Sequence, residues 1–241
     1  MKNKEEQEDI AEFYDKEASE YDSRFSSHSG KYIHQRQTSI LLDQLGDIEG
    51  SRILEIAAGT GRFTQELVAH GAEVVVVDVS REMLKQNRER TGEATFIHGS
   101  GTHLPFSEAS FDHCITVNSL NHIPGHWDVV REVHRILKSN GKFIANYPNK
   151  WSNRLPIALY VNYHNRNVGG GVYTKWFDIF EAKNRLAENG FEIRACTGDR
   201  LLPVKAASKI TVPLAERMEQ LLASTPLSNL CVSPFVTAVK P

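Results

Sequence analysis

The stretch ILEIAAGTGRFTQ, residues 53 to 65, runs from an apolar strand through a glycine turn into a helix. In an open α/β sheet, the first turn of this kind faces the ligand crevice, and its glycines let a ligand approach the backbone. The dinucleotide-binding fingerprint is G-x-G-x-x-G/A, but here Gly59 and Gly61 are followed by Thr64. The missing third small residue disfavours a pyrophosphate ligand.

Two acidic residues flank this turn. Glu55 lies in the strand four residues before Gly59, and Asp78 ends the second strand 17 residues after Gly61. An acidic residue in the second position accepts hydrogen bonds from ribose hydroxyls. Because carboxylates attract cations and repel a pyrophosphate, the sequence favours a cationic ligand that carries a ribose.

The rest of the chain predicts an α/β fold. Val74 to Val77 form a continuous apolar run, which is typical of a strand buried on both faces of a parallel sheet. Helical patterns alternate with such segments, so we predict a Rossmann-like, doubly wound, mostly parallel seven-stranded sheet whose last two strands form an antiparallel pair. The triplet SNG at 139 to 141 predicts a helix end. The seven strand segments are 52 to 57, 73 to 79, 94 to 99, 113 to 118, 142 to 148, 191 to 198 and 231 to 239.

The chain divides into three parts. Residues 1–46 hold two amphipathic helical patterns and are predicted to form an N-terminal helical cap. Residues 47–148 and 174–241 form the ligand-binding Rossmann-like domain. Residues 149–173 are rich in aromatic residues and contain three consecutive glycines, so we interpret them as an inserted substrate-cap segment after the fifth strand.

The composition of the chain indicates which kinds of partner and which cellular location to expect. The 28 basic and 30 acidic residues give a formal charge of −2, so no nucleic acid partner is expected. The three cysteines have no CxxC spacing and predict neither a disulfide framework nor a metal site. Neither a secretory signal nor an apolar run near the ~20 residues of a membrane span is found, so we expect a cytoplasmic protein.

Five motifs in order then carry a resemblance to a known family. They are LEIAAGTG, VVVVDVSREML, GSGTHLPFSEASFD, CITVNSLNHI and LKSNGKF, preceded by FYDKEASEYDSRF. Together they resemble the class I S-adenosylmethionine-dependent methyltransferases, in particular the ubiquinone/menaquinone-biosynthesis type and its small-molecule relatives. The resemblance covers roughly residues 12 to 146 and implies S-adenosylmethionine as cofactor and S-adenosylhomocysteine as product.

The resemblance also implies roles for individual residues. Glu55 and the backbone from Ala57 to Gly61 would face the methionine part of the cofactor, and Asp78 would hold the ribose diol. Asn118 would border the methyl-transfer site. The remaining implied cofactor contacts are Tyr14 and Tyr21 in the closing helix, Val79 and Met83 beside the adenine, and Ser100, Gly101 and Thr102 in the third motif. For Tyr14, Tyr21 and Met83, packing against the rest of the protein is an equal alternative.

Two positions depart from the family pattern. Ala57 stands where a glycine is usual, and we expect this change to be mild because alanine can occupy a β-region conformation. Ser100 stands where an aspartate normally accepts the adenine amino group, and a serine hydroxyl carries no charge. Thr102 or a backbone carbonyl is a candidate replacement.

Methyl transfer needs alignment of the reactants more than it needs a catalytic group, because the sulfonium carries its own leaving group. Only a hydroxyl or protonated amine acceptor requires a base as well. His122, which follows the fourth strand beside the predicted transfer site, is the candidate general base, although a capping or surface role is an alternative.

Three functions remain open on the sequence. The first is a small-molecule methyltransferase whose acceptor is enclosed by the N-terminal helices and residues 149–176. The second is a methyltransferase that acts on a macromolecule such as RNA or protein, and the third is a protein that binds the cofactor without methyl transfer. Neither the acceptor nor the oligomeric state follows from the sequence.

Overall fold

The computed structural model describes residues 2–167, 172–200, 221 and 225–241. Seven strands form one sheet in the order β3-β2-β1-β4-β5-β7-β6. The strands are β1 (Arg52–Ile56), β2 (Glu73–Asp78), β3 (Thr95–His98), β4 (Phe111–Thr116), β5 (Leu137–Asn146), β6 (Glu192–Thr197) and β7 (Phe235–Val239). The helices are α1 (Lys2–Tyr21), α2 (His28–Leu45), α3 (Arg62–Ala69), α4 (Arg81–Thr91), α5 (His126–Ile136), α6 (Leu155–Asn167) and α7 (Ile179–Glu188).

The direction of the strands confirms the predicted doubly wound sheet. The first five strands pair in parallel, and β1 lies between β2 and β4, where the strand order reverses. Strand β7 is antiparallel to both of its neighbours, β5 and β6. The predicted antiparallel closure is thus confirmed, with β7 inserted between β5 and β6. The division of the chain into cap, core and inserted segment stays a prediction.

Two apolar cores lie on the two faces of the sheet. On one face, Leu41 of α2 and Leu67 of α3 pack with Val76 of β2 in a single buried cluster. On the other face, Val133 of α5 and Leu186 of α7 belong to a second cluster. The apolar run in β2 supplies both clusters with alternate side chains, which explains why it shows no polar alternation.

One helix end was predicted wrongly. Helix α5 ends at Ile136, because Leu137 already pairs with Phe111 of the neighbouring strand. The SNG triplet lies inside β5, where Asn140 has a φ of 63° and donates its backbone N–H to the Lys240 carbonyl at 2.7 Å. The triplet therefore bends a strand and does not end a helix.

Within the described ranges, no helix is both long enough and apolar enough to cross a membrane.

Candidate functional site

A cavity of about 670 Å³, including its open mouth, lies at the carboxyl ends of β1, β2 and β4. This edge is the ligand crevice expected for an open sheet at the point where strand order reverses. Helix α1 covers the cavity from above with Gln7, Ile10, Tyr14 and Tyr21. The cavity is lined by ten of the thirteen predicted cofactor residues and by His122; the ten are Tyr14, Tyr21, Ala57, Gly59, Asp78, Val79, Met83, Ser100, Gly101 and Asn118.

Asp78 is the carboxylate at the centre of this lining. It ends β2, is only 6 % exposed, and accepts hydrogen bonds from the backbone N–H groups of Gly59 and Ser80, each at 2.9 Å. Burial raises the pKa of Asp78, while these backbone donors act in the opposite direction. The carboxylate is therefore fixed in orientation between the glycine turn and the start of α4, in the position predicted for a ribose-binding group.

The turn after β1 takes an unusual backbone path. Gly59 and Gly61 have φ values of 57° and 82°, and a side chain at Gly61 would overlap the Asn87 carboxamide. Ala57 also has a positive φ, 54°, and its backbone N–H donates to the Val77 carbonyl at 2.7 Å. The expectation of a β-region alanine is therefore wrong: Ala57 occupies the left-handed region, which costs an L-residue about 1–2 kcal/mol relative to glycine.

Glu55 lies behind the turn and outside the cavity lining. Its Oε2 accepts a hydrogen bond from the Thr64 hydroxyl at 2.6 Å, and Thr64 in turn accepts one from the Asn87 amide at 3.0 Å. Burial raises the pKa of Glu55 to about 8. The carboxyl group is thus largely protonated near neutral pH, and it connects β1 to α3 and α4 rather than facing the cavity as a charge.

The third motif is organised around hydroxyl groups. The Ser100 hydroxyl lies 2.9 Å from the Thr102 hydroxyl, and Thr102 is 8 % exposed and outside the cavity lining. Gln7 of α1 does line the cavity, and its side-chain amide donates to the Thr102 hydroxyl at 3.4 Å. A carboxamide from another part of the chain therefore lies beside Ser100, where the family pattern has an aspartate.

Two acidic residues attach α1 to the sheet domain. Asp15 accepts hydrogen bonds from the Ser80 hydroxyl at 2.6 Å and from the Glu82 backbone N–H at 3.1 Å. Just after α1, Asp22 accepts a hydrogen bond from the Thr60 hydroxyl at 2.7 Å and forms an ion pair with Arg90. These contacts hold the tyrosine-bearing face of α1 over the cavity.

Asn118 joins the cavity to a buried polar network. It has a φ of 58° and exchanges hydrogen bonds with Gln37 of α2, at 2.8 Å and 3.3 Å. The Asn118 backbone N–H donates to the side-chain oxygen of Asn146 in β5 at 2.6 Å, and the Asn146 side-chain amide donates to the side-chain oxygen of Asn118 at 2.7 Å. Gln37 continues the network to the fully buried Asp199 at 2.8 Å.

His122 ends a short 3-10 helix, Leu120–His122, at the cavity wall. Its Nδ1 lies 3.1 Å from the Tyr173 carbonyl and its Nε2 lies 2.9 Å from the Asn121 amide nitrogen, which is the arrangement of a neutral ring protonated on Nδ1. Burial lowers the pKa of His122. The ring of Tyr14 is edge-on to it, with centroids 6.0 Å apart.

Sequence reasoning missed several cavity residues. Ile56 and Val77 are strand-end residues next to predicted ones, so their neighbours could have indicated them. Ile10 belongs to the amphipathic pattern of α1, but Gln7 gives no local signal because only the docking of α1 brings it to the cavity. The other missed residues are Gly99, Ser119, Ile123 and Pro124.

Comparisons with known proteins agree with this geometry. Residues 54–145 match the family model described as a methyltransferase domain. The demethylmenaquinone methyltransferase of Renibacterium salmoninarum is 32 % identical over 111 residues, which are 46 % of this chain and 47 % of that protein. The ubiquinone/menaquinone biosynthesis C-methyltransferase UbiE of Pseudomonas paraeruginosa is 30 % identical over 164 residues, which are 64 % of this chain and 63 % of that protein.

The matches thus span about half to just under two thirds of these relatives' own lengths. Among solved structures, the magnesium protoporphyrin IX methyltransferase of Synechocystis superposes with a TM-score of 0.69, covering 98 % of this chain and 100 % of that chain. At 14 % identity, this likeness shows the fold alone. Over residues 54–145 the chain thus matches the methyltransferase domain in sequence, and over nearly its whole length it shares the fold of a known methyltransferase.

Proposed function

We propose that this protein binds S-adenosylmethionine in the cavity and transfers its methyl group to a small-molecule acceptor by in-line displacement. The observation that carries the proposal is the buried Asp78 carboxylate, held by Gly59 and Ser80 at the carboxyl end of β2. When bound, S-adenosylmethionine would supply a methyl group that is activated by its positively charged sulfonium. Transfer of that methyl group leaves a neutral thioether.

The lining fits such a cofactor. Asp78 would accept hydrogen bonds from the two ribose hydroxyls, as acidic residues at this position do in dinucleotide-binding folds. Val79 and Met83 line the same cavity as Ser100 and would supply apolar surface for the adenine. Tyr14 and Tyr21 close the cavity from α1, and burial raises the pKa of both phenols, so they act as neutral groups.

We assign Gln7 the task that the family's aspartate performs on the adenine amino group. Ser100 is engaged with Thr102, whereas the Gln7 carboxamide lines the cavity and carries an oxygen that can accept a hydrogen bond. Because this hydrogen-bond acceptor lies on α1, closure of that helix over the cavity would also depend on the bound adenine.

The acceptor is expected between α1 and the segment that precedes Phe177. The Tyr173 carbonyl holds the His122 ring, and the Lys175 backbone N–H donates to the Asn121 carbonyl at 2.8 Å, so this segment borders the transfer site. His122 is the proposed base for a hydroxyl or amine acceptor, because its lowered pKa keeps the ring neutral near neutral pH. To take the acceptor's proton, Nε2 would exchange its hydrogen bond from the Asn121 amide for one from the acceptor.

Two measurements test the proposal. S-Adenosylmethionine and S-adenosylhomocysteine should each raise the melting temperature of the purified protein, and incubation of the methyl-labelled cofactor with a metabolite extract should label a small molecule. A thermal shift without any labelled product would indicate binding without transfer, and labelled RNA or protein would indicate a macromolecular acceptor. A folded sample with no shift at millimolar ligand would contradict the cofactor assignment.

The three cysteines are free thiols, which supports the cytoplasm as the proposed location.

A further inference from the structure

Helix α6 turns an apolar face to solvent. Ile157, Leu159, Tyr160 and Tyr163 are 54–66 % exposed, whereas Ala158 is fully buried. At 100° per residue, the exposed apolar positions cover an arc of roughly 160° of the helix. Trp151, just before the helix, is 46 % exposed. Of the ten exposed large hydrophobic side chains among the described residues, these five lie within 13 consecutive positions, and we call them the α6 surface.

Isolated exposed hydrophobic residues are ordinary, but such a cluster indicates an interaction site. Tyrosine and tryptophan have an apolar body and a polar tip, which suits a boundary between water and an apolar phase. Tyr160 stacks on His164 with ring centroids 5.8 Å apart.

Basic side chains predominate around the α6 surface, although Asp178 accepts a hydrogen bond from the Trp151 indole N–H at 2.8 Å. Residues 149–176 contain four basic side chains and no acidic one, although the whole chain has a formal charge of −2. Lys150 is paired with Asp178 at 3.1 Å. Among the residues that the structure describes, no acidic side chain forms an ion pair with Arg154, whose pKa is lowered by burial and by the neighbouring Arg200. The region therefore carries local positive charge that complements an anionic surface.

The α6 surface is also coupled to the cavity wall. The Asn162 side chain exchanges two hydrogen bonds with the Trp176 backbone, at 2.9 Å and 3.0 Å. Trp176 follows the segment whose Tyr173 carbonyl holds His122. A surface that binds α6 would thus be linked, through Trp176, to the segment that borders the proposed transfer site.

We propose that the α6 surface docks on a membrane containing anionic lipids, with its apolar and aromatic side chains in the interface and its basic side chains at the lipid headgroups. An amphipathic helix with an apolar face and basic flanks binds such interfaces without crossing them. This docking does not depend on methyl transfer, so each proposal can fail without the other.

The test is sedimentation of the full chain with large unilamellar vesicles, made of phosphatidylcholine alone or of equal parts phosphatidylcholine and phosphatidylglycerol. The protein should sediment with the anionic vesicles, and added salt should weaken this binding. Double substitution L159S/Y163S should lower the partition coefficient at least tenfold, because it removes apolar surface from the interface. Substitution R154Q should lower it about fivefold, the effect of roughly 1 kcal/mol per basic residue.

The matched control is Leu227→Ser, which removes a similarly exposed leucine (43 %) outside the α6 surface and should leave binding unchanged. Circular dichroism melts confirm that each variant is folded. Wild-type protein that stays in the supernatant with both vesicle types would overturn the proposal. So would a wild-type dimer in light scattering that L159S/Y163S dissociates without any vesicle binding, because a second copy would then cover the face.

Discussion

Asp78 accepts a hydrogen bond from the Gly59 backbone N–H at 2.9 Å, which joins the end of β2 to the turn after β1. This contact connects the two sequence features that first indicated the ligand. It also leaves the carboxylate facing the cavity with its orientation fixed.

Asp78→Asn should weaken S-adenosylhomocysteine binding ten- to hundredfold, measured by isothermal titration calorimetry. A hydrogen bond to a charged acceptor is worth about 1.5–3 kcal/mol, and the amide replaces one acceptor oxygen with a donor. The control is Asp128→Asn on the outer face of α5, where the carboxylate pairs with Arg131. Unchanged affinity in the folded Asp78 variant would remove the ribose assignment.

Ala57→Gly should stabilise the protein by about 1 kcal/mol in urea unfolding. Its φ of 54° is strained for alanine and relaxed for glycine, and this gain exceeds the added flexibility of the unfolded chain. Ala109, which has a φ of 50°, should respond in the same direction, whereas Ala58→Gly should destabilise by about 0.5–1 kcal/mol. A loss of stability at Ala57 equal to that at Ala58 would contradict the left-handed assignment.

Glu55→Gln should change how stability depends on pH. The folded pKa of about 8 lies above the unfolded value of 4.5, so between these values the native state binds more protons than the unfolded state. The contribution of Glu55 is fully present below pH 4.5 and is lost as pH rises through 8. Between pH 5.5 and 7.5, wild-type stability should therefore fall relative to the variant by up to about 1.4 kcal/mol per pH unit. If the free energy of unfolding depended on pH in the same way in the two proteins, Glu55 would be ionised in the folded state.

Asp15→Ala should loosen α1. The carboxylate holds the start of α4 through Ser80 and Glu82, so its removal should raise amide hydrogen exchange in α1 about tenfold. Asp9→Ala, an exposed position on the same helix, is the matched control. Equal exchange in the two variants would mean that the Asp22 contacts alone hold the helix.

His122→Asn tests the proposed base once an acceptor is known. The asparagine amide can still donate to the Tyr173 carbonyl, but it provides no titrating group. For a hydroxyl or protonated amine acceptor, we expect kcat to fall about a hundredfold with KM little changed, and the loss of rate at acidic pH to disappear. A variant that keeps the wild-type pH profile would assign His122 a positioning role only.

The fold could be predicted in detail because its signals are local. The apolar run of β2 and the glycine turn each reflect a requirement of the backbone within a few residues, and the observed strand bounds lie within two residues of the predicted ones except at the starts of β5 and β7. The start of β5 was missed because pairing of Leu137 with β4 overrides the local helix-end signal at the SNG triplet. The site was predicted where it follows strand ends, as at Asp78 and Asn118.

The sequence by itself determined the doubly wound sheet, the position of its ligand crevice and the residues at the strand ends, because alternating strand and helix patterns favour a parallel sheet whose carboxyl edge holds the ligand. Only the tertiary structure decided which side chains share the cavity with them. Gln7 bonds to Thr102 next to Ser100, Glu55 lies outside the cavity lining and Ala57 takes a left-handed conformation, because each depends on how distant elements dock and on which groups that docking buries.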